Sequence, residues 1–412
     1  MRRRVRELVA FIRASAREVL RGGPEYRRWV AFLALWIALG GAAWVEQLLV
    51  GMSVTAMTDQ VPWGAYIANF SYTVGLASAA VALVALSYLR GDEDARALVV
   101  VGQVVTIAAL TMGMLFVVVD IGRPDRVWHF IPLLGRFNFP ISLLSWDVVV
   151  LNGYLVLNFY LATYTLLARF RGREMKRLKY QPVLALGVLF AVAVHVVAAF
   201  LYCGLAARPH WHAAVLVPRV LASAFGSGPA LLILVLSVLR DRMALPVSPR
   251  VLASLRVVVT AALWVNLFLF GAEAFTEFYA GSSHAAPLRY MLFGLHGHRL
   301  LVPYLWLALA LNVGATAVLS TPRLFAREGL LRGACGATIV GLWIEKGMGH
   351  VVPGFIPSSL GEIVEYSPSL HETLVCAGVW AAGALLLTLM LKVAVPVEFG
   401  QLRLYPTQGG PS

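Results

Sequence analysis

Long apolar runs follow one another along almost the whole chain, and they constrain its fold more than any other feature. A helix needs about 20 apolar residues to cross a ~30 Å hydrocarbon core, and inside a bilayer a helix satisfies its own backbone hydrogen bonds. Only 13% of the residues are charged, against about 25% in a soluble domain. The sequence therefore predicts an all-α integral membrane protein with ten transmembrane helices. They cover residues 29–50, 64–89, 96–120, 141–168, 181–205, 216–239, 252–279, 300–320, 330–350 and 371–395.

Basic residues predict the orientation of these helices. The chain has 34 Lys and Arg residues and a formal net charge of +13. Such a charge is also typical of nucleic-acid-binding proteins, but 26 of the 34 fall in the N-terminal segment, in alternate connections and near the C-terminus. Positively charged loops stay on the cytoplasmic side of a membrane. We therefore predict a multi-pass membrane protein with both termini in the cytoplasm and no nucleic-acid partner.

Composition divides the chain into three regions. Residues 1–28 are rich in arginine, and their apolar residues from Val5 to Leu20 fall at helical spacing. This pattern predicts a cytoplasmic amphipathic helix on the membrane lipid surface; a disordered basic tail is the alternative. Residues 29–395 form the ten-span membrane domain, and residues 396–412 form a cytoplasmic C-terminal tail.

The second and sixth spans begin alike. One enters through Val61-Pro62 and the other through Val217-Pro218, and four spans separate them. Both then run in the same direction, which predicts two four-helix bundles related by an axis along the membrane normal, with two flanking spans. The Gly-Ser-Gly-Pro stretch at 226–229 predicts that the sixth span is opened or bent.

One short polar segment, residues 58–64, lies between the first two runs in an outer loop and reads Thr-Asp-Gln-Val-Pro-Trp-Gly. Asp59 and Gln60 offer hydrogen bonds and a proton to a bound polar group. Three aromatic residues lie at the end of this segment and just after it: Trp63, Tyr66 and Phe70. They would form the walls of a slot for an apolar ring. A Trp at the end of a span is also common as an interfacial residue with no further role.

Ionisable residues inside the predicted spans lie mainly in their outer halves. Such residues are costly in lipid and often mark functional sites. Asp120, His195 and Glu273 are therefore candidate proton-transfer groups. Structural roles compete with this reading: Asp120 and Asp147 would equally cap helices or pair with nearby arginines. A lone buried histidine is more often a hydrogen-bonding core residue, although histidine changes its charge near neutral pH.

Redox centres and metals are not indicated by the sequence. The chain has three cysteines, and none forms the Cys-x-x-Cys pair typical of iron–sulfur ligation. A haem held by two histidines needs both inside the bundle, and only His195 is clearly inside. We therefore predict no haem, no iron–sulfur cluster and no metal ion in this chain.

Several motifs together resemble a known family, the NrfD/polysulfide-reductase membrane subunits. They occur in the family's order: Thr58-Asp-Gln-Val-Pro-Trp-Gly64 with Gly75, Asp120-Ile-Gly-Arg-Pro124 with Asn138, Ser142 and Trp146, His195 with Arg208-Pro-His-Trp-His212, and Gly341-Leu-Trp-Ile-Glu345 with Tyr366-Ser-Pro368 and Glu372. The last set is similar to the ten-span, HybB-like branch, which includes DsrP-type subunits of sulfite-reduction-linked complexes. The resemblance covers nearly all of the chain after residue 29.

The resemblance implies a membrane subunit of a quinone-linked respiratory oxidoreductase, without its own redox cofactor, in a prokaryotic cytoplasmic (inner) membrane. Such subunits bind menaquinone or ubiquinone near the outer face. They exchange electrons with a periplasmic ferredoxin-like iron–sulfur subunit, and further catalytic or cytochrome subunits complete the complex. The implied quinone contacts are Gln60, Trp63, Tyr66 and Phe70, and the proton-transfer candidates are Asp59, Asp120, His195 and Glu273.

Two other function classes stay open. A secondary transporter would use a broken sixth span and Glu273, and it would need polar groups in both halves of the membrane. A plain membrane anchor would hold a redox complex without binding quinone. The inner halves of the spans contain few acidic residues, which counts against the transporter and predicts that quinone turnover pumps no protons.

Overall fold

The computed structural model describes residues 2–131, 134–173, 177–281, 283–358 and 360–404. Over these ranges the chain is helical, with no β-strand. The α-helices are α1 (Arg2–Leu20), α2 (Pro24–Val50), α3 (Ala65–Leu76), α4 (Ala79–Leu89), α5 (Glu93–Asp120), α6 (Leu143–Phe170), α7 (Arg177–Cys203), α8 (Leu216–Met243), α9 (Pro249–Ala280), α10 (Ala286–Phe293), α11 (Val302–Ser320), α12 (Pro322–Phe325), α13 (Glu328–Lys346), α14 (Met348–Val351) and α15 (Leu370–Glu398). Short 3₁₀ turns occupy Met52–Val54, Pro124–Phe130, Ser283–Ala285 and Val352–Phe355.

Nine helical segments in the described part of the chain are long and apolar enough to cross a membrane. The chain is therefore an all-α, multi-pass membrane protein, as predicted. The predicted ninth span, 330–350, corresponds to α13, which has charged residues at both ends and is not among the nine. It packs lengthwise against α8 and α11. The count of ten spans stays a prediction.

The helices pack as two groups of four with two flanking helices. The first group contains α3–α4 as one crossing, together with α5, α6 and α7. The second contains α8, α9, α11 and α13. The flanking helices α2 and α15 lie against each other, and α15 also lies against α5. Gly40 of α2 meets Gly378 of α15 so closely that a Cβ at Gly40 would lie 2.7 Å from the Gly378 Cα. The two groups meet mainly through α3, α7 and α8.

The second crossing is broken between α3 and α4, at Ala77 and Ser78. Protein groups satisfy the freed backbone atoms. Thr106 donates from Oγ1 to the Ala77 carbonyl over 3.0 Å and accepts from the Ala80 N–H over 3.1 Å. Ser78 donates from Oγ to the Ala224 carbonyl of α8 over 2.7 Å. Irregular backbone at membrane depth is tolerated only where it is covered in this way.

The sixth crossing, predicted to be opened or bent, is not opened, because α8 runs through Pro229 as one helix; a bend there stays a prediction. The glycine before this proline explains the sequence differently. A Cβ at Gly228 would overlap Ser78 Oγ and would lie 2.9 Å from the Ala79 nitrogen. Glycine therefore lets α8 lie directly against the break in its neighbour, and the Gly-Pro pair marks a close helix contact.

Both ends of the chain lie at one face of the helical domain. Glu7 of α1 pairs with Arg171 over 3.0 Å, and the Phe11 ring meets the Phe170 ring edge-on at 5.3 Å. Helix α2 begins before the predicted residue 29, and α15 extends past residue 395. Residues 405–412 of the predicted tail lie outside the described residues.

The opposite face is formed by the connections 51–64, 121–142, 204–215, 281–301 and 347–369, and we call it the Trp63 face. Glu372, in the first turn of α15, holds two of these connections together, 51–64 and 347–369. Its carboxylate accepts hydrogen bonds from the Ala56 N–H over 2.8 Å and from the Tyr366 hydroxyl. It also forms a capping box with Ser369, which begins α15.

Candidate functional site

An aromatic cluster lies under the Trp63 face. Trp63, which precedes α3, stacks on Trp211 with ring centroids 5.5 Å apart and an interplanar angle of 29°. Tyr202 of α7 meets both indoles edge-on. Trp211 is fully buried, and its Nε1 donates to the His350 carbonyl over 2.9 Å. The cluster therefore joins the ends of α3, α7 and α14.

A cavity of about 20 Å³ lies directly beneath this cluster, between α3, α7, α8 and α13. The hydroxyls of Ser71 and Tyr202 line it and are hydrogen-bonded to each other. Lys346 and His350 line it as well, and both are buried. A cavity of this size accommodates water but no organic ring.

A buried ion network lies within the second helix group. Arg219 of α8 donates to Glu273 of α9 and, over 2.9 Å, to Glu345 of α13. The amides of Asn266 and Asn312 also donate to Glu345. The Glu345 carboxylate thus receives hydrogen bonds on both oxygens.

A larger cleft opens between α5 and α6 under the connection 121–142, with a volume of about 600 Å³. Its walls are mostly apolar and include Val117, Trp128 and Phe137. Asp147 of α6 lines it and is 2% exposed. Within the described residues, Asp147 Oδ1 has no hydrogen-bond partner. An apolar wall with one unpaired carboxyl oxygen suits an apolar ligand that has a polar end.

Asp147 and Tyr202 are both buried, Asp147 at the wall of the cleft and Tyr202 at the wall of the internal cavity. Their helices, α6 and α7, belong to the first helix group and lie against each other.

A second apolar groove, about 450 Å³ in volume, runs between α11 and α13. Tyr304, Trp343 and Tyr366 contribute its aromatic rings. The Tyr366 hydroxyl already accepts from the Ala65 N–H over 2.8 Å and donates to Glu372. This groove is suited to an acyl or isoprenoid chain more than to a group that exchanges protons.

The residues predicted around the 58–64 segment occupy different environments. Asp59 and Gln60 are exposed on the Trp63 face. Trp63 belongs to the aromatic cluster, whereas Tyr66 and Phe70 are buried in the other hydrophobic core. The Tyr66 hydroxyl donates to Gln47 of α2 over 2.7 Å. The structure does not bring the three rings together as walls of one slot.

The predicted proton-transfer groups are likewise separated. Asp120 ends α5, and its Oδ1 has no hydrogen-bond partner among the described residues. His195 is buried in α7, and its Nδ1 lies 2.5 Å from the Ala191 carbonyl of its own helix. Glu273 pairs with Arg219 in the second helix group. Arg123, one suggested partner of the aspartates, pairs with Asp125 at 2.9 Å instead.

Sequence reasoning missed the role of Arg219 and of two histidines. Arg219 lies in the first turn of an apolar helix, and a basic residue in such a helix is the signal that marks a buried cation. His210 and His350 are not among the predicted site residues, and both have a buried Nε2 atom without a partner in the described part of the chain. Among the described residues, no three His, Cys, Asp or Glu side chains are grouped so as to hold a metal ion.

Comparison with known proteins gives this arrangement a family. Residues 53–346 match the family model for the polysulphide reductase NrfD. The chain belongs to the NrfD family. The matched part of this NrfD-family protein contains the cleft, most of the cavity lining, the ion network and every predicted site residue, and it excludes α1, α2 and α15.

Curated relatives of this NrfD-family protein are named as subunits of redox enzymes. The chain is 30% identical over 237 residues to a putative membrane subunit of a dimethyl sulfoxide reductase from Halobacterium salinarum, and the match covers 53% of each chain. It is 24% identical to a subunit of the selenate reductase of Mesobacillus selenatarsenatis, over 89% of this chain and 93% of the relative. It is also 24% identical to an Hdr-like menaquinol oxidoreductase integral membrane subunit of Archaeoglobus fulgidus, over 64% of this chain and 63% of the relative.

Proposed function

We propose that this NrfD-family protein is the quinone-interacting membrane subunit of a multi-subunit respiratory oxidoreductase. It exchanges electrons between a membrane quinone and an iron–sulfur partner subunit docked on the Trp63 face. The observation that carries the proposal is the α5–α6 cleft, which is lined by Asp147, a buried residue whose Oδ1 has no hydrogen-bond partner among the described residues. Family membership and the names of the relatives support it.

The cleft has the properties that a quinone substrate requires. Its volume of about 600 Å³ lies within the ~300–1,000 Å³ range of small-molecule sites. Apolar side chains would hold the ring and tail, and Trp128 and Phe137 would face the ring plane. Asp147 accepts a hydrogen bond from a quinol hydroxyl when it is ionised, and it donates one to a quinone carbonyl when it is protonated.

Oxidation of a quinol releases two electrons and two protons. The electrons leave through iron–sulfur clusters of the partner subunit, and Asp147 takes the protons one at a time as a general base. Each proton then passes toward Tyr202, whose helix α7 packs against the α6 helix of Asp147. Reduction of a quinone would use the same groups in the reverse order.

The partners and orientation follow from charge and from the relatives. The concentration of Lys and Arg near the chain termini supports a cytoplasmic terminal face and a periplasmic Trp63 face. The name of the Archaeoglobus fulgidus relative, a menaquinol oxidoreductase subunit, supports menaquinone as the substrate. Asp59 and Gln60, exposed on the Trp63 face, would contact a ferredoxin-like partner rather than the quinone. A catalytic subunit would complete the complex.

The proposal is tested with the complex purified from native membranes through a tag on this chain. We expect an iron–sulfur protein to co-purify and quinol analogues to reduce its clusters. Asp147→Asn removes the base without changing its size, and it should slow quinol-linked electron transfer by about a hundredfold or more. Asp125→Asn, which alters an exposed carboxylate paired with Arg123 in the adjoining turn, should leave the rate unchanged.

The outcomes separate the competing functions. An Asp147→Asn complex with wild-type turnover would show that the quinone binds elsewhere. A complex with an iron–sulfur partner but no reaction with any quinol would indicate a plain membrane anchor. Movement of a solute into liposomes by the isolated chain, without a redox partner, would indicate a secondary transporter.

A further inference from the structure

Two imidazoles separate the internal cavity from the solvent at the Trp63 face. His350 is 6% exposed and lines the end of the cavity nearest that face. The rings of His350 and His210 have their centroids 5.8 Å apart, at an angle of 45°. In the described part of the chain, the Nε2 atom of each ring is buried and has no hydrogen-bond partner. Two adjacent imidazoles, each with an unpaired ring nitrogen, therefore lie at this end of the cavity.

His210 also lines a second pocket on its other side. This pocket is about 290 Å³ in volume, and Arg208 and His284 line it as well. Several of its lining residues, including Ala207 and Pro357, are exposed, so the pocket is open to solvent. His350 thus lines the internal cavity, His210 lines the outer pocket, and the two rings lie next to each other.

The charges around the pair keep the rings neutral at rest. Burial lowers the pKa of His210 to about 4, and the nearby Arg219 lowers it further while Glu273 opposes them. Lys346 and Arg219 act on His350 as further positive neighbours. A neutral imidazole has one donor and one acceptor nitrogen, so it can take a proton on one nitrogen and release another from the opposite one.

We propose that His350 and His210 form the proton connection between the internal cavity and the solvent at the Trp63 face. A proton from the cavity binds one nitrogen of His350 while the opposite nitrogen gives up its own proton. His210 repeats the exchange and releases a proton into the outer pocket, and both rings return to their neutral form. No charge accumulates, and the path ends on the same face that receives the electrons.

This inference rests on the proposed function, because quinol oxidation supplies the protons. It adds the residues that carry the protons away from the cavity, and neither histidine lies in the α5–α6 cleft. The competing explanation is that both are hydrogen-bonding core residues. That explanation leaves the two unpaired buried nitrogens without a purpose, although such atoms are costly inside a protein.

The test uses the whole complex in proteoliposomes during a single turnover started with a menaquinol analogue. Electron transfer is followed by the absorbance of the iron–sulfur clusters, and proton release by a pH dye on the Trp63 side. The variants are His350→Gln and His210→Gln. His212→Gln is the matched control, because His212 lies two residues away, is exposed, and bonds the Cys203 carbonyl through Nδ1 over 2.8 Å.

We expect both relay variants to slow proton release by about tenfold or more, while first-turnover electron transfer stays within about twofold of the wild type. Added imidazole should restore release in His210→Gln, whose site opens to solvent, and the control should behave as the wild type. Proton release at the wild-type rate in both variants, with normal electron transfer, would overturn the relay alone. Absence of quinol-driven electron transfer in the wild-type complex would overturn the proposed function and the relay together.

Discussion

Arg219 donates a hydrogen bond from Nη2 to Glu345 Oε1 over 2.9 Å, and the two side chains are only 9% and 1% exposed. The other end of the guanidinium donates to Glu273. One cation thus lies between two carboxylates from two different helices. Asn266 and Asn312 donate further hydrogen bonds to Glu345, so this carboxylate has three donor side chains as partners.

Removal of the shared cation should be strongly destabilising. Arg219→Met would leave Glu273 and Glu345 buried without their common partner, and breaking a buried ion pair from one side costs about 3–5 kcal/mol. Unfolding in detergent can be followed with a thiol-reactive dye on Cys335, a free and buried cysteine of α13. Arg250→Met at the exposed start of α9 is the control. Equal melting temperatures for the two variants would contradict this account.

Gly228 should tolerate no side chain. Its Cβ position lies 2.9 Å from the Ala79 backbone nitrogen, so Gly228→Ala must push α8 away from the break between α3 and α4. Gly271→Ala of α9 is the matched control, because no atom lies within 4 Å of its Cβ position. Alanine favours a helix over glycine by up to about 1 kcal/mol. We expect the first variant to melt at a lower temperature than the wild type and the second at the same or a higher one.

The helices were predictable because lipid leaves the backbone few choices. The predicted seventh span, 252–279, matches α9 at Pro249–Ala280 closely for this reason. The sequence pattern pointed to an opened helix in the sixth crossing, but the break lies in the second crossing, between α3 and α4. Glycine and proline occur both where a helix opens and where it meets a neighbour closely, and only the contact between Gly228 and Ser78 distinguishes the two.

The sequence also predicted where the polar groups lie, but it did not predict which residues they pair with. Polar residues concentrate near the ends of the runs, so their clustering under one face follows from the sequence. Arg219 and Glu345 are 126 residues apart, and Ser71 and Tyr202 are 131 apart. Such pairs depend on which helices become neighbours, and hydropathy has no information about that choice. For the same reason Trp63 and Tyr66, close in sequence, pack in different clusters.

Asn69 links three helices through one oxygen atom. Its Oδ1 accepts from Trp343 Nε1 of α13 over 3.0 Å and from Trp380 Nε1 of α15 over 2.8 Å. Asn69→Leu would leave both indole N–H groups without this acceptor, which should cost about 2 kcal/mol. Thermal unfolding and a shift of the tryptophan emission would report the loss. Asn152→Leu, which alters an exposed amide that bonds its own helix, should change neither.

Glu365 should make the Trp63 face sensitive to acid. Its carboxylate accepts from the Leu300 N–H over 2.7 Å and from the Tyr290 hydroxyl over 3.0 Å, and it faces His298 Nδ1 at 3.2 Å. Burial raises the pKa of Glu365, but these three donors outweigh it and hold the pKa below the ordinary value of 4.5. The carboxylate therefore ties the connection 281–301 to the connection 347–369.

The direction of the pH dependence follows from this lowered pKa. The bonds stabilise the folded face above the ordinary carboxyl pKa of 4.5, and the stabilisation is lost as the pH falls through the lower value of the folded state. Hydrogen exchange of residues 286–302, corrected for intrinsic rates, should accelerate between about pH 6 and about pH 3. Glu365→Gln should already exchange fast at the higher pH, whereas Glu362→Gln, exposed in the same loop, should follow the wild type. An acid response that persists unchanged in Glu365→Gln would assign it to another group.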